Sequence, residues 1–177
     1  FQCFSPGPDP EQNIPDVGVV PWLKVGTCAL NPVAGTDIEW EKLPPVRASR
    51  RVVVVGGGPA GMQAAATAAD RGHKVVLLEA ADRLGGTLWF TDVDVDKEDL
   101  RNFRDYLVRQ VEQRPIEVRL GVRAGAEELR ALAPDAVLLA VGARPKAPPI
   151  PGLAQYAVHA LEVYEPNRTL GKRIVMV

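Results

Sequence analysis

The clearest pattern along the chain is a set of short apolar segments, which occupy residues 51–55, 74–79 and 135–141. Nearly uninterrupted apolar runs of this length predict strands of a parallel sheet that is buried on both faces. The alanine-rich segment at residues 59–71 is too long for a strand, and Gly72 after it is typical of a helix C-terminus. This part of the pattern therefore predicts a strand, a helix and a second strand, which together form one βαβ unit.

A different periodicity follows in the second half of the chain. Apolar residues recur at helical spacing between charged ones over residues 97–113, which predicts a surface helix with one buried stripe. The residues of that stripe are Leu100, Phe103, Leu107 and Val111. Residues 116–120 predict a short strand and residues 126–132 a short helix. Residues 171–177 repeat the pattern of residues 51–55 and predict a further strand, so the whole pattern indicates an α/β fold with a parallel sheet.

An aromatic pair, Trp89 and Phe90, precedes a segment with acids at every second position, Asp92, Asp94 and Asp96. An EF-hand calcium loop would also need a central glycine and a terminal glutamate, and both are missing. We therefore predict a solvated loop that leads into the following helix. The two aromatic residues are expected to cover one end of a cofactor site or to fill core, without contacting a substrate.

The turn after the first strand carries glycines at the G-x-G-x-x-G spacing, at Gly56, Gly58 and Gly61. The first glycine permits the sharp turn, the second lets a diphosphate approach the backbone, and the third lets the helix pack closely on the sheet. Pro59 fits the first helical turn, and the free amides there, including that of Ala60, would face the diphosphate. This turn predicts a dinucleotide site, with a purely structural glycine turn as the alternative.

An acidic residue ends the second strand, because Glu79 lies 23 residues after Gly56. An acid at this position can accept hydrogen bonds from ribose hydroxyls. The loop after it contains the pair Gly85 and Gly86, which resembles the signature of flavoproteins with two dinucleotide domains. FAD is long and lies extended, so a second turn with exposed backbone would run beside it, and we favour FAD over NAD, with an ordinary loop as the alternative interpretation of the glycine pair. The cofactor contacts expected in this loop are Ala80, Arg83, Gly85, Gly86 and Thr87.

Composition excludes several classes of function. The chain has 177 residues, a net charge of −1 and 46% hydrophobic residues. It therefore has neither the basic footprint of a nucleic-acid-binding protein nor the composition of a disordered one. No apolar run approaches the roughly 18 residues of a membrane span, and a cytoplasmic location is expected. Two cysteines and two histidines form no metal cluster or nucleophile–base pair, so we predict a small-molecule cofactor but no catalytic residue or bound metal.

Residues 1–49 differ from the rest of the chain because prolines recur through them, which predicts an irregular, extended segment. Within it, Cys28 is followed by Asn31, Pro32 and Gly35. Taken alone, this cysteine is interpreted as a buried thiol before a turn.

Together, these motifs resemble part of the Old Yellow Enzyme-like flavoproteins, the family of 2,4-dienoyl-CoA reductase, 2-enoate reductase and trimethylamine dehydrogenase. In that family an FMN-carrying TIM barrel precedes a four-cysteine 4Fe–4S loop, whose last ligand lies in a C-x-x-N-P-x-x-G context. A strand with GxGPAG, an acid and a glycine pair follow. Residues 28–35, 56–61, Glu79 and residues 85–86 match these features in the same order. The resemblance covers most of residues 26–177.

The end of the strand at residues 135–141 is, on its own, a strand followed by a turn. It also resembles the A-T-G-x-x-P stretch of the family, in which a glycine lets the backbone close over the phosphate side of the flavin. The resemblance implies cofactor contacts at Ala140, Val141 and Gly142, although Val141 stands where threonine is commoner.

The resemblance further implies that the chain is a fragment of a larger reductase with an incomplete Rossmann-like FAD/NAD(P)-binding domain. Residues 1–49 would be a linker with a remnant of the iron–sulfur loop, residues 50–168 the FAD domain, and residues 169–177 the first strand of an NAD(P)H domain. Cys28 would be the fourth cluster ligand in the parent. Cys3, the other cysteine, is too isolated to supply the remaining ligands in this chain.

In such a parent, NAD(P)H would reduce FAD, electrons would pass singly through the 4Fe–4S cluster to FMN, and FMN would reduce an activated C=C bond. The missing barrel and the NAD(P)H domain would be the partners of this segment. Two other readings stay open. The chain could be an NAD-binding dehydrogenase domain, or a module that holds only ADP as a structural element, as resemblance to trimethylamine dehydrogenase would imply.

Overall fold

The computed structural model of the chain describes Asn31, residues 42–165 and residues 168–176. The chain divides into two compact units, residues 1–45 and residues 46–177. Only Asn31 and residues 42–45 of the first unit are described, and they form no helix or strand. The interpretations of Cys28 and of the proline-rich segment before residue 42 therefore lie outside the described residues.

The described part of the second unit contains a sheet of four parallel strands. In chain order the strands are β1 (Arg51–Val55), β2 (Lys74–Leu78), β3 (Ile116–Arg119) and β4 (Ala136–Leu139). Their order in the sheet is β3-β2-β1-β4. The prediction of an α/β fold with a parallel sheet is thereby confirmed.

Four α-helices accompany the sheet among the described residues: α1 (Pro59–Asp70), α2 (Glu98–Glu112), α3 (Ala126–Leu132) and α4 (Leu153–Tyr156). The first helix ends as its sequence predicts, because its C-cap is Arg71 and the next residue, Gly72, has a positive φ of 83°. Every strand and the three longer helices lie within a few residues of the predicted bounds.

The segment before α2 differs from its prediction as a solvated loop. It forms two 3₁₀-helices, at Gly86–Asp92 and Val95–Lys97. Local side chains stabilise both, since the Thr91 hydroxyl donates to the carbonyl of Leu88 and the Asp94 carboxylate accepts the amide of Asp96. Such side-chain bonds to nearby backbone favour short turns of this kind.

Alternate residues of the central strands enter two separate cores. One core packs α1 and α2 against one face of the sheet, and its best-buried members are Val54, Met62, Ala65, Leu77 and Val111. The other lies on the opposite face and contains Val53, Val76 and Leu78, with α3 packed against it. The runs of consecutive apolar residues in β1 and β2 are explained by this double burial.

The apolar segment at residues 135–141 does form a strand, but the expectation that it is buried is wrong. β4 lies at the edge of the sheet with one neighbour, and Leu139 is 72% exposed. An apolar run alone does not distinguish a central strand from an edge strand. The strand predicted at residues 171–177 is also not observed, because residues 171–176 pair with none of the described strands and Val175 is largely exposed.

The division into central and edge strands can be tested with one substitution at two places. Leu77→Ala should lower the free energy of unfolding by about 2–5 kcal/mol, because it opens a cavity in a fully buried position. Leu139→Ala, the matched control on the exposed edge, should change it by no more than about 0.5 kcal/mol. Urea unfolding of both variants measures the difference, and equal losses would contradict the assigned burial.

Candidate functional site

Three loops with predicted site residues meet at one edge of the sheet. They follow β1, β2 and β4, and the carboxyl ends of parallel strands lie on the same side. Because β1 lies between β2 and β4, its loop is flanked by the other two. Gly56 lies against Ala140 on one side, and Gly58 lies against Gly86 on the other.

The glycine turn after β1 is required by backbone packing at both of its ends. Gly56 has a positive φ of 106°, and a side chain there would overlap the carbonyl oxygen of Ala140. A side chain at Gly61 would overlap the carbonyl oxygen of Gly56. These two glycines therefore bring helix α1 tightly against the sheet, as the motif predicts.

Gly58 is different, because the protein itself leaves room beside it. Its φ of −74° suits any residue, and the nearest heavy atom to a Cβ placed there would be the Gly86 Cα at 3.9 Å. Folding alone does not require glycine at this position. Space therefore remains beside the backbone of Gly58.

The first turn of α1 presents backbone donors next to Gly58. The amides of Gly58, Ala60 and Gly61 have no hydrogen-bond acceptor among the described residues, as expected for the start of a helix. The next amide, that of Met62, donates to the carbonyl of Gly58 at 2.9 Å. Free amides combined with the positive end of the helix dipole form a suitable site for a phosphate group.

Glu79 joins the loops after β1 and β2. One carboxylate oxygen accepts the amide of Gly57 at 2.5 Å, and the other accepts the amide of Ala81 at 2.7 Å. Its own backbone is held as well, because its amide donates to the carbonyl of Arg119 at 2.9 Å. Glu79 therefore has a structural role that the sequence interpretation did not include, and it lies beside the glycine turn as predicted.

The glycine pair after β2 lies directly against the first turn. The amide of Gly85 donates to the carbonyl of Gly57 at 2.9 Å, and a Cβ on Gly86 would lie 2.9 Å from the Gly58 Cα. Both glycines have positive φ angles. The two turns thus pack backbone against backbone, which a side chain on Gly86 would prevent.

The remaining predicted positions show fewer contacts. Arg83 lies over the ring of Trp89 at 3.7 Å from the centroid, and its guanidinium is 4.0 Å from the Asp92 carboxylate. Ala80 and Thr87 are exposed in the loop after β2. After β4, Val141 and Gly142 are exposed, and a Cβ on Gly142 would meet no atom within 4 Å. Gly142 also has a positive φ of 72°, which glycine adopts without strain, but no turn is formed at residues 140–146.

The aromatic pair lies outside both cores. Trp89 is half-buried, and its Nε1 donates to the carbonyl of Leu84 at 2.7 Å. The ring of Phe90 lies 5.2 Å from that of Tyr164. Trp89 supports the loop after β2, whereas Phe90 contacts the segment near the end of the described chain.

Sequence reasoning missed two residues that shape this site. Gly57 donates its amide to Glu79, and a Cβ on it would lie 2.6 Å from Leu84; the run of three consecutive glycines was the available signal. Arg104 is buried in α2 beneath the loop after β2. Its signal was its spacing, because it lies three residues before Leu107 and seven before Val111, on the buried stripe.

Residues 50–175 match the protein family described as pyridine nucleotide-disulphide oxidoreductase. The chain belongs to this family. The match includes all three loops of the site and all four strands. The chain is thus a Rossmann-like nucleotide-binding domain of the oxidoreductase type, and the family supports FAD or another flavin as its cofactor.

The chain is similar in sequence or structure to several known reductases and oxidases. The NADH oxidase of Thermoanaerobacter brockii is 46% identical over 125 residues, which cover 71% of this chain and 19% of that protein. The cinnamate reductase of Clostridium sporogenes is 34% identical over 151 residues, which cover 85% of this chain and 22% of that protein. The structure of 2-naphthoyl-CoA reductase with 2-naphthoyl-CoA has a TM-score of 0.71 at 32% identity, over 81% of this chain and 22% of that chain.

These matches confirm the resemblance to the enoate-type flavoprotein reductases. The chain spans about a fifth of the length of the curated relatives it matches. None of the helices in the described residues is long and apolar enough to cross a lipid bilayer.

The structural role of Glu79 predicts a loss of stability that does not depend on a ligand. Glu79→Ala removes the acceptors of two backbone amides and should lower the free energy of unfolding by about 1–3 kcal/mol. The matched control is Glu117→Ala, which removes an exposed pair with Arg119 and should cost less than about 1 kcal/mol. Thermal or urea unfolding without added nucleotide compares the two variants. Equal losses in the free energy of unfolding would contradict the structural role assigned to Glu79.

Proposed function

We propose that this chain is the FAD-binding electron-relay segment of a larger reductase that uses NAD(P)H to reduce activated C=C bonds. The observation that carries the proposal is the pair of glycine turns beside the free amides of α1. One turn beside a helix N-terminus is sufficient for the diphosphate of any dinucleotide. The second turn, at Gly85 and Gly86, favours the longer, extended FAD.

The residues present fit this cofactor. The amides of Gly58, Ala60 and Gly61 would donate to the diphosphate, and the room beside Gly58 lets the phosphate oxygens reach the backbone. Pro59 at the start of α1 removes one donor that the helix could not use and fixes the backbone there. FAD would supply hydride acceptance and single-electron donation, and the chain would supply binding and placement.

Glu79 would hold the ribose of the cofactor while it braces the two turns. A carboxylate oxygen can accept more than one hydrogen bond. The two amides that Glu79 binds, from Gly57 and Ala81, therefore leave acceptor capacity for sugar hydroxyls. Ala80, Arg83 and Thr87 line the exposed part of the same loop, and we assign them cofactor contacts on this basis.

Cofactor contacts are also proposed in the loop after β4. There Ala140, Val141 and Gly142 would cover the flavin end of the cofactor. Ala140 packs directly against Gly56 and Gly61, so this backbone adjoins the glycine turn. Gly142 has a positive φ, which glycine adopts without strain. Exposure of Val141 and Gly142 leaves their backbone accessible to a bound molecule.

The parent protein is proposed from the relatives and from the sequence resemblance. Cinnamate is an acid whose C=C bond is conjugated to the carboxylate, so the cinnamate reductase supports an enoate-type reaction. FMN, a 4Fe–4S cluster and NAD(P)H would be cofactors of the parent, with Cys28 as one cluster ligand. We propose residues 1–49 as the linker, residues 50–168 as the FAD domain and residues 169–177 as the start of the NAD(P)H domain.

The identity of the cofactor separates this proposal from its alternatives. Protein purified from cells should release FAD on denaturation, identified by chromatography against FAD, NAD and ADP standards. Release of NAD alone would support a dehydrogenase domain instead, and ADP alone would support a structural nucleotide module. Either of these results would overturn the FAD assignment.

Gly58 gives a direct test of the diphosphate position. Gly58→Ala should leave the fold intact, because the new Cβ would make only ordinary contact with Gly86. It should nevertheless raise the Kd for FAD about tenfold or more, since the methyl group occupies the space that the phosphates need. Gly58→Val should raise it further.

Gly171→Ala is the matched control, because its Cβ would meet no atom within 4 Å and it lies outside the three loops. Flavin fluorescence quenching measures the Kd, and thermal unfolding confirms the fold. Unchanged affinity in both Gly58 variants would contradict the assigned position of the diphosphate.

A further inference from the structure

Helix α2 carries a buried charge behind the second glycine turn. The side chain of Arg104 is on the same helix stripe as Leu107 and Val111, and Arg104 is only 5% exposed. Arginine is rarely buried to this extent unless it is paired. A position that an apolar residue could fill is therefore occupied by a charged group with specific partners.

Those partners hold the guanidinium of Arg104 in one orientation. Nη1 donates to the Asp92 carboxylate at 2.7 Å and Nε donates to Oδ1 of Asp105 at 2.9 Å, while Nη2 forms an ion pair with the same oxygen at 2.8 Å. Burial by itself would lower the pKa of Arg104, but the hydrogen bonds to Asp92 and Asp105 outweigh it and raise the pKa above its usual value. Arg104 is therefore charged at neutral pH, and its two carboxylate partners orient it.

The fixed guanidinium packs against Trp89. Its Cζ lies 4.0 Å from the centroid of the Trp89 ring, and Arg83 lies over the same ring at 3.7 Å. The indole N–H donates to the carbonyl of Leu84, the residue before Gly85. Trp89 is thus held by two cations and is bonded to the backbone that enters the glycine turn.

Gly85 rests directly on these two side chains. A Cβ on Gly85 would lie 2.8 Å from Nε1 of Trp89 and 3.0 Å from Cδ of Arg104. From the same residue, the amide of Gly85 donates to Gly57 in the first turn. The second glycine turn therefore lies between the first turn and a support formed by Trp89 and Arg104.

We propose that Arg104 is a positioning residue for the cofactor, which acts through Trp89 to hold the Gly85–Gly86 turn against the Gly57–Gly58 turn. This inference rests on the proposed function, because it requires that FAD binds between or beside the two turns and that its affinity depends on their spacing. Arg104 itself lies behind the turn, where its side chain supports Gly85 both directly and through Trp89. An ion pair elsewhere on the surface would only add stability. Arg104 differs because it packs against Trp89 and Gly85, which belong to the loop proposed to bind FAD.

Lysine could not replace Arg104 in this role. The planar guanidinium donates to two carboxylates and stacks on an indole at the same time, whereas an ammonium is a single, strongly hydrated point charge. Methionine would fill much of the volume but would leave Asp92 and Asp105 without their shared partner. Both replacements should therefore loosen the position of Trp89.

A matched control exists just after the C-terminus of the same helix. Arg114 follows α2 and makes a bidentate pair with Asp70, with distances of 2.7 and 2.8 Å. That pair ties the ends of α1 and α2 together, and it does not contact the glycine turns. Arg114→Lys should therefore cost stability without changing the cofactor site.

The experiment measures the Kd for FAD by fluorescence titration, and the thermal midpoint, for the wild type and for Arg104→Met, Arg104→Lys and Arg114→Lys. We expect both Arg104 variants to raise the Kd about tenfold, with no rescue by lysine, and Arg114→Lys to change it less than about twofold. Wild-type Kd values in folded Arg104 variants would overturn the inference. An equal rise in Arg114→Lys would also overturn it, because the effect would then be one of general stability.

A double-mutant cycle tests whether Arg104 acts through Trp89. Trp89→Phe keeps the ion pairs of Arg104 and should itself raise the Kd, so this variant carries the test if Arg104→Met does not fold. Adding Arg104→Met to Trp89→Phe should raise the Kd by less than Arg104→Met does alone. Additive effects would overturn the route through Trp89. Failure of the wild type to bind FAD would instead refute the proposed function, and the inference with it.

Discussion

The contact between two glycine turns is the constraint on which the rest of this structure depends. The backbone after β1 and the backbone after β2 approach so closely that a side chain on Gly86 would crowd the Gly58 Cα. The amide of Gly85 and the carboxylate of Glu79 both bond to Gly57 and hold the two turns together. The amides at the start of α1 that have no acceptor among the described residues lie beside this contact.

The sheet and its two cores fix the positions of the two glycine turns. β1 and β2 lie side by side at the centre, where Val53, Leu77 and Leu78 are almost fully buried, so the ends of both strands have fixed positions. Small side chains in α1, such as Ala65, let the helix lie close to the sheet and start directly at the turn. Burial of apolar surface thus supplies the stability, and the glycines allow the close backbone contact between the two turns.

The sequence predicted well those features that depend on local pattern. The bounds of α3, the strand β1 and the cap at Gly72 follow from apolar periodicity and glycine chemistry, which act over a few residues. The convergence of Gly56, Gly58, Glu79 and Gly85 also followed, because carboxyl ends of parallel strands share one edge. In these places each local preference agrees with the tertiary fold.

Other features depend on contacts that no local pattern records. The exposure of Leu139 follows from the place of β4 in the sheet, and an apolar run looks the same at the edge as at the centre. The bracing role of Glu79 depends on the amide of Gly57, which lies 22 residues earlier in the chain. From the sequence, Arg104 could be recognised only as a charged residue on the buried stripe of a helix. Its contacts with Asp92 and Trp89 depend on the tertiary structure.

The central claim is that the amides at the start of α1 bind the diphosphate of FAD. It is tested most directly by two-dimensional amide NMR of the isotope-labelled 177-residue chain, titrated with FAD. The largest shifts should fall on the amides of Gly58, Ala60 and Gly61, with smaller ones at Gly85 and Gly86. Unchanged signals from these amides at saturating FAD, or shifts confined to a different surface of the protein, would contradict the account.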